Sequence, residues 1–130
     1  MKLVIDANIV IAVVLGEPEK NWALDVTRGG EAIGPRSLPF EIGNALSRLV
    51  KRRRLRSENI DSAWAEAAKF DVALIDIDMQ AALRLAANHD LYAYDGYMLQ
   101  CALETRATLV TLDQPLSGVA RKIGLQVMER

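Results

Sequence analysis

Four acidic residues stand where predicted strands end or predicted helices begin. They are Asp6, Glu41, Asp95 and Asp113. Two of them follow short segments rich in β-branched residues, and two lie in the first turn of a segment with helical periodicity. Because the carboxyl ends of parallel strands meet at one edge of a sheet, we expect the four side chains to converge there. Clustered carboxylates repel one another, and a hard divalent cation with oxygen ligands, Mg²⁺ or Mn²⁺, would make such a cluster tolerable.

Each acid also has a purely structural explanation. Aspartate is a good helix N-cap, and both acidic side chains favour helix N-termini. Asp6 is the hardest to explain in this way, because it interrupts an apolar run from Leu3 to Val13, where an unpaired buried charge would cost several kcal/mol. A metal ion bound in a cleft beside Asp6, with Asn8 as a supporting residue, would offset that cost.

An acidic Mg²⁺ site indicates phosphate chemistry, since such an ion activates water and neutralises charge on the transferred phosphorus. Zinc is disfavoured because it more often recruits His or Cys, and the chain offers only His89 and Cys101, in unrelated contexts. The single histidine also argues against a metal-free ribonuclease, which usually needs a paired general acid and base near neutrality. The residues therefore predict metal-dependent phosphodiester hydrolysis.

The elements that must position these residues follow an α/β pattern. Segments rich in β-branched residues alternate with segments of helical period, which predicts one domain over residues 1–130 with a central, mostly parallel sheet of about five strands flanked by five or six helices. In the helices that follow the second strand, the apolar residues Phe40 and Trp64 are predicted to face the core. The predicted strands cover residues 3–5, 31–34, 73–76, 108–111 and 125–128.

Composition narrows the class of protein further. No apolar run approaches the roughly 18 residues that span a bilayer, so no membrane segment is expected. The first residues lead directly into a predicted strand, so we expect no signal peptide and a cytoplasmic location. The stretch 51-KRRRLR-56 holds five of the 16 Lys and Arg residues and leaves the rest of the chain with a net charge of −6. Its residues Arg52, Arg53 and Arg54 are predicted to contact the phosphates of a nucleic acid, although a solvated helix end explains them equally well.

The stretches that carry the four acids together form a pattern. They are 4-VIDANI-9, 39-PFEIGNAL-46, 94-YDGYMLQCA-102 and 111-TLD-113. In their order and spacing they resemble the motifs of PIN-domain nucleases, particularly the small VapC-like toxins of toxin–antitoxin pairs, and the resemblance covers nearly the whole chain. It implies that Asp6, Glu41, Asp95 and Asp113 are the catalytic and metal-binding residues. Asn8, Asn44 and Thr111 are implied to support them, with Asn8 standing where relatives often have Ser or Thr.

The resemblance also implies an activity and partners. The chain would be an Mg²⁺- or Mn²⁺-dependent endoribonuclease, the toxin of a type II, VapBC-like system, and would cleave RNA by metal-activated water. A cognate antitoxin and a homodimer are expected, with apolar helix surface in the region from Ile42 to Trp64 as the candidate interface.

Three alternatives remain open at the level of sequence. The chain could be a PIN nuclease in RNA maturation that has no antitoxin. It could also be a non-catalytic RNA-binding or partner-binding module with the same fold. The third alternative is an acidic-pocket phosphohydrolase in which Asp6 forms an aspartyl-phosphate, but the absence of a second carboxylate at position 8 weakens it. Activity on RNA with Mn²⁺ would separate the non-catalytic module and the phosphohydrolase from a nuclease. A small antitoxin gene immediately upstream would favour the toxin over a nuclease of RNA maturation.

Overall fold

Short β-branched segments form a five-stranded sheet in the computed structural model, which describes all 130 residues. All four strand pairings are parallel, and the spatial order is β3-β2-β1-β4-β5. The predicted α/β fold is confirmed, and every predicted strand is found to within two residues. The strands are β1 (Lys2–Ile5), β2 (Glu31–Pro35), β3 (Ala73–Ile75), β4 (Thr108–Val110) and β5 (Val127–Met128).

Seven α-helices connect and cover the strands, more than the five or six predicted. The helix after β1 is apolar at every position except Asn8, so the sequence shows neither an amphipathic stripe nor a boundary between strand and helix there. None of the helices has the length and apolar character that crossing a membrane requires. The helices are α1 (Ala7–Val14), α2 (Lys20–Thr27), α3 (Leu38–Lys51), α4 (Ile60–Ala68), α5 (Met79–Asn88), α6 (Ala93–Thr105) and α7 (Gln114–Lys122), with a short 3-10 turn at Ser57–Asn59.

The strand order contains a reversal of direction that matters for function. The chain runs from β1 outward to β3 and then returns across the sheet to place β4 on the other side of β1. Because crossover connections are right-handed, the helices of the outward and returning paths lie on opposite faces of the sheet. The carboxyl ends of β1 and β4 therefore diverge into a crevice, which is where open α/β sheets usually bind ligands.

The position of α6 is set by a close approach to α5. A Cβ atom at Gly96 would lie 2.6 Å from the Ala82 carbonyl oxygen and 3.0 Å from the Ala86 Cβ, so only glycine permits this contact. Asp95 immediately precedes this contact point. The first turn of α6 is thus anchored beside the carboxyl edge of the sheet, against which α6 also packs through β1, β2 and β4.

Two aromatic residues predicted to be core residues are not buried. Phe40 is 73% exposed and Trp64 is 45% exposed. On α3 the buried stripe passes through Ile42 and Leu46, and Phe40 lies two positions before Ile42, which puts it on the opposite side of the helix. On α4 the buried positions are alanines, so the helix packs closely and its tryptophan is turned toward the surface.

Candidate active site

The four predicted acids line a single cleft at the carboxyl edge of the sheet, with a volume of about 780 Å³. Asp6 directly follows β1 and occupies the N-cap position of α1, and Glu41 lies in the first turn of α3. Asp95 lies in the first turn of α6, and Asp113 precedes α7. We call this space the acidic cleft. Its lining residues are Asp6, Ala7, Asn8, Ile11, Glu41, Asn44, Ala45, Arg48, Leu49, Arg52, Tyr92, Ala93, Tyr94, Asp95, Tyr97 and Asp113.

Asp6 is held by a hydrogen-bond network that joins β1 to the segment after β4. Its Oδ2 accepts a hydrogen bond from the Thr111 hydroxyl at 2.6 Å and another from the Asn8 side-chain amide at 3.1 Å. The side-chain oxygen Oδ1 of Asn8 in turn accepts a hydrogen bond from the Leu112 backbone N–H at 3.1 Å. The Thr111 hydroxyl oxygen accepts one from the Asp113 backbone N–H at 3.0 Å. Asn8 and Thr111 therefore orient Asp6 and fix the backbone that leads to Asp113.

Burial and mutual repulsion raise the pKa values of three of the acids. The pKa of Asp6 rises from 3.8 to about 6, chiefly because the side chain is buried, although the Thr111 hydroxyl opposes the rise. The pKa of Glu41 rises from 4.5 to about 9, first through burial and then through the nearby charges of Asp6 and Asp95. Burial and the neighbouring Asp113 also raise the pKa of Asp95. The cleft thus disfavours negative charge unless a cation compensates it.

Glu41 gives the clearest sign that the cleft is built for a positively charged ligand. Its Oε2 is buried and has no hydrogen-bond partner. A buried, unsatisfied carboxylate oxygen beside two further carboxylates is costly in the protein alone, and all-oxygen donors suit Mg²⁺ or Mn²⁺. No three of the acidic side chains converge at the spacing that one ion requires, so binding would need at least one carboxylate to rotate.

Asp113 is also the N-cap residue of α7, a structural role that its place before a predicted helix allowed. Its Oδ1 accepts a hydrogen bond from the Leu116 backbone N–H at 3.1 Å and so caps α7. The cap uses one carboxylate oxygen. The residue therefore combines helix capping with a place in the lining of the acidic cleft.

The structure separates the other predicted site residues into two groups. Asn44 and Arg52 line the acidic cleft, whereas Arg53 and Arg54 do not. The basic run ends α3 and turns away after Arg52, with Arg53 at a positive φ of 58°. Only the first of the three arginines is therefore positioned beside the four acids.

Sequence reasoning missed four residues with polar side chains that line the cleft. They are Arg48, Tyr92, Tyr94 and Tyr97. A signal for the aromatic residues was present, since all three tyrosines of the chain fall within six residues around Asp95. Arg48 gave no separate signal, because an arginine on an amphipathic helix is usually a solvated residue.

Solved structures with the same fold extend over nearly the whole chain. PAE2754 from Pyrobaculum aerophilum superposes with a TM-score of 0.71 at 19% identity, covering 99% of this chain and 89% of that one. VapBC2 from Rickettsia felis, bound to a DNA fragment from their promoter, gives 0.67 at 13% identity and covers 99% and 98%. A toxin–antitoxin complex from Klebsiella pneumoniae gives 0.56 at 18% identity and covers 89% and 91%. At these identities the likeness concerns the fold.

Sequence comparison gives the family directly. Comparison with curated proteins yields no match. The family model of the PIN domain, however, matches residues 3–122 and so includes all four acids of the cleft. Together with the parallel sheet and the acidic cleft at the crevice between β1 and β4, this match shows that the chain belongs to the PIN domain family.

Proposed function

We propose that the protein is an Mg²⁺- or Mn²⁺-dependent endoribonuclease and the toxin of a VapBC-like toxin–antitoxin pair. The observation that carries the proposal is the acidic cleft, in which four carboxylates from different elements share one space and three have raised pKa values. Membership of the PIN domain family, whose members are generally nucleases, supports the same activity.

Asp6, Glu41, Asp95 and Asp113 would hold the metal, which when bound would activate water and neutralise charge at the scissile phosphorus. Asn8 and Thr111 orient the Asp6 carboxylate through the two hydrogen bonds to its Oδ2. Burial and the charges of Asp6 and Asp95 raise the pKa of Glu41 to about 9, and a cation in the cleft would lower it again. The absence of a second carboxylate at position 8, where the chain has Asn8, disfavours the aspartyl-phosphate alternative.

Removal of divalent cations is expected to abolish RNA cleavage, and Mg²⁺ or Mn²⁺ should restore it. The reason is that the cleft offers four carboxylates and no histidine, so it lacks the histidine pair on which a metal-free ribonuclease often relies. The test is cleavage of a labelled RNA in EDTA, followed by addition of each cation in excess. Full activity in EDTA would contradict the metal mechanism.

We also propose a protein partner of the antitoxin type. Two of the similar folds come from VapBC2 of Rickettsia felis and from a toxin–antitoxin complex of Klebsiella pneumoniae. On this chain the surface of α3 and α4 exposes Phe40, Ile60 and Trp64, which are large apolar residues more typical of an interface than of free surface. The test is co-expression with a small protein encoded next to the gene, with co-purification and loss of cleavage as the expected result.

A homodimer is expected in solution, with the region from Ile42 to Trp64 as its candidate interface. The physical reason is the high apolar fraction of so short a chain, 51%, which leaves apolar side chains on the surface. Sedimentation at tens of micromolar measures the mass. A monomer at that concentration would refute the dimer. A dimer that persists in Trp64→Ser would show that Trp64 is not essential to the interface.

A further inference from the structure

Tyr92 stands at the acidic cleft with almost nothing around its ring. It is 88% exposed, the highest exposure among the large apolar and aromatic side chains that reach the surface. Its backbone is engaged, since its carbonyl oxygen accepts from the Gly96 N–H at 3.3 Å and it occupies the N-cap position of α6. The ring therefore adds little to the stability of the fold, while its attachment point is fixed beside Asp95.

The neighbouring tyrosines leave the ring of Tyr92 free. Tyr94 and Tyr97 are half-buried and pack edge to face, with ring centroids 5.9 Å apart. This pair forms an ordered aromatic surface in the lining of the cleft. Tyr92 takes no part in it, so one face of its ring is available to a planar ligand.

Two arginines from a different element line the same cleft. Arg48 lies in the last turn of α3 and Arg52 is the C-cap residue one turn later, so the two side chains project from one side of the helix. Neither guanidinium forms a salt bridge, although four carboxylates share the cleft with them. Two exposed, unpaired guanidinium groups at a fixed spacing suit successive phosphates of a nucleic-acid backbone.

We propose that Tyr92 stacks on a base of an unpaired RNA segment while Arg48 and Arg52 bind its phosphates, so that the strand lies across the acids of the cleft. The inference rests on the proposed function for its choice of RNA. A ring can stack on the free face of a base only when that base has left its own helical stack, so the assignment of Tyr92 predicts that its ring contributes to binding of unpaired RNA and not of duplex RNA.

The test is the affinity of a fluorescein-labelled RNA without self-complementarity, measured by anisotropy in EDTA and low salt so that no cleavage occurs. Tyr92→Ala should weaken binding about 5- to 100-fold, and Tyr92→Phe should bind nearly as the wild type does, since stacking needs the ring and not the hydroxyl. Arg52→Gln should weaken binding and flatten its salt dependence.

Matched controls lie outside the cleft. Phe40→Ala removes an aromatic ring that is 73% exposed, and Arg84→Gln removes an exposed charge from α5. Both should bind as the wild type does, and Tyr92→Ala should have no effect on a blunt RNA duplex. Equal losses from Phe40→Ala, an equal effect of Tyr92→Ala on duplex RNA, or failure of the wild type to bind the unpaired strand would each overturn the proposal.

A parallel cleavage assay in Mn²⁺ separates this inference from the proposed function. Cleavage of RNA by the wild type, with affinity unchanged in Tyr92→Ala, would overturn the stacking role and leave the nuclease activity standing. Ring-dependent binding of the unpaired strand, with no cleavage under either cation, would support the stacking role and overturn the nuclease activity.

Discussion

Replacing Asp95 or Asp6 by asparagine is expected to abolish RNA cleavage while leaving the metal-free protein as stable as the wild type, or slightly more stable. The acids raise one another's pKa values in the cleft, so loss of one charge relieves repulsion. Loss of an anionic ligand, in contrast, weakens metal binding. Function and stability should therefore change in opposite directions.

Thermal melting in EDTA, combined with a cleavage assay in Mn²⁺, measures both effects. Asp71→Asn serves as the control, because Asp71 is exposed, lies outside the acidic cleft and forms no salt bridge. If Asp6 were only a structural partner of Thr111 and Asn8, its replacement would instead cost about 1–3 kcal/mol. A large fall in the melting temperature of Asp6→Asn, with cleavage retained, would show that Asp6 is not an active-site residue.

The metal-free protein is expected to lose stability as the pH rises from about 5 to 9. Glu41 and Asp6 have folded-state pKa values of about 9 and about 6, both above their ordinary values. The folded state therefore binds more protons than the unfolded state in this window, and stability falls as those protons are lost. For Asp6 alone the difference corresponds to about 3 kcal/mol, and it is fully present below pH 4.

Denaturant unfolding in EDTA at pH 5, 7 and 9 tests this dependence. Glu41→Gln should remove most of the slope between pH 6 and 9, because an amide does not titrate, while Asp71→Asn should leave the slope unchanged. Saturating Mn²⁺ should also reduce the slope, since a cation favours the ionised carboxylates. A wild-type stability that is constant from pH 6 to 9 would show that Glu41 is ionised in the fold.

The sequence by itself determined the strands and the places of the acids along the chain. Short β-branched segments ended by a polar residue are local signals, and Asp6 and Asp113 follow β1 and β4 as predicted. Glu41 and Asp95 were likewise placed in first helical turns, because Pro39 and the return of helical periodicity are also local features. Periodicity failed to predict α1, since its residues other than Asn8 are all apolar and so form no amphipathic stripe.

Only the tertiary structure decided what surrounds these residues. The hydrogen bond from Thr111 to Asp6 joins residues 105 positions apart, and it exists because the strand order places β4 beside β1. The high pKa of Glu41 depends on burial and on charges supplied by other elements. Arg48 and Tyr92 share a cleft only because α3 and α6 both begin beside the same edge of the sheet. Neighbours of this kind depend on packing between distant segments, which local propensity and periodicity do not encode.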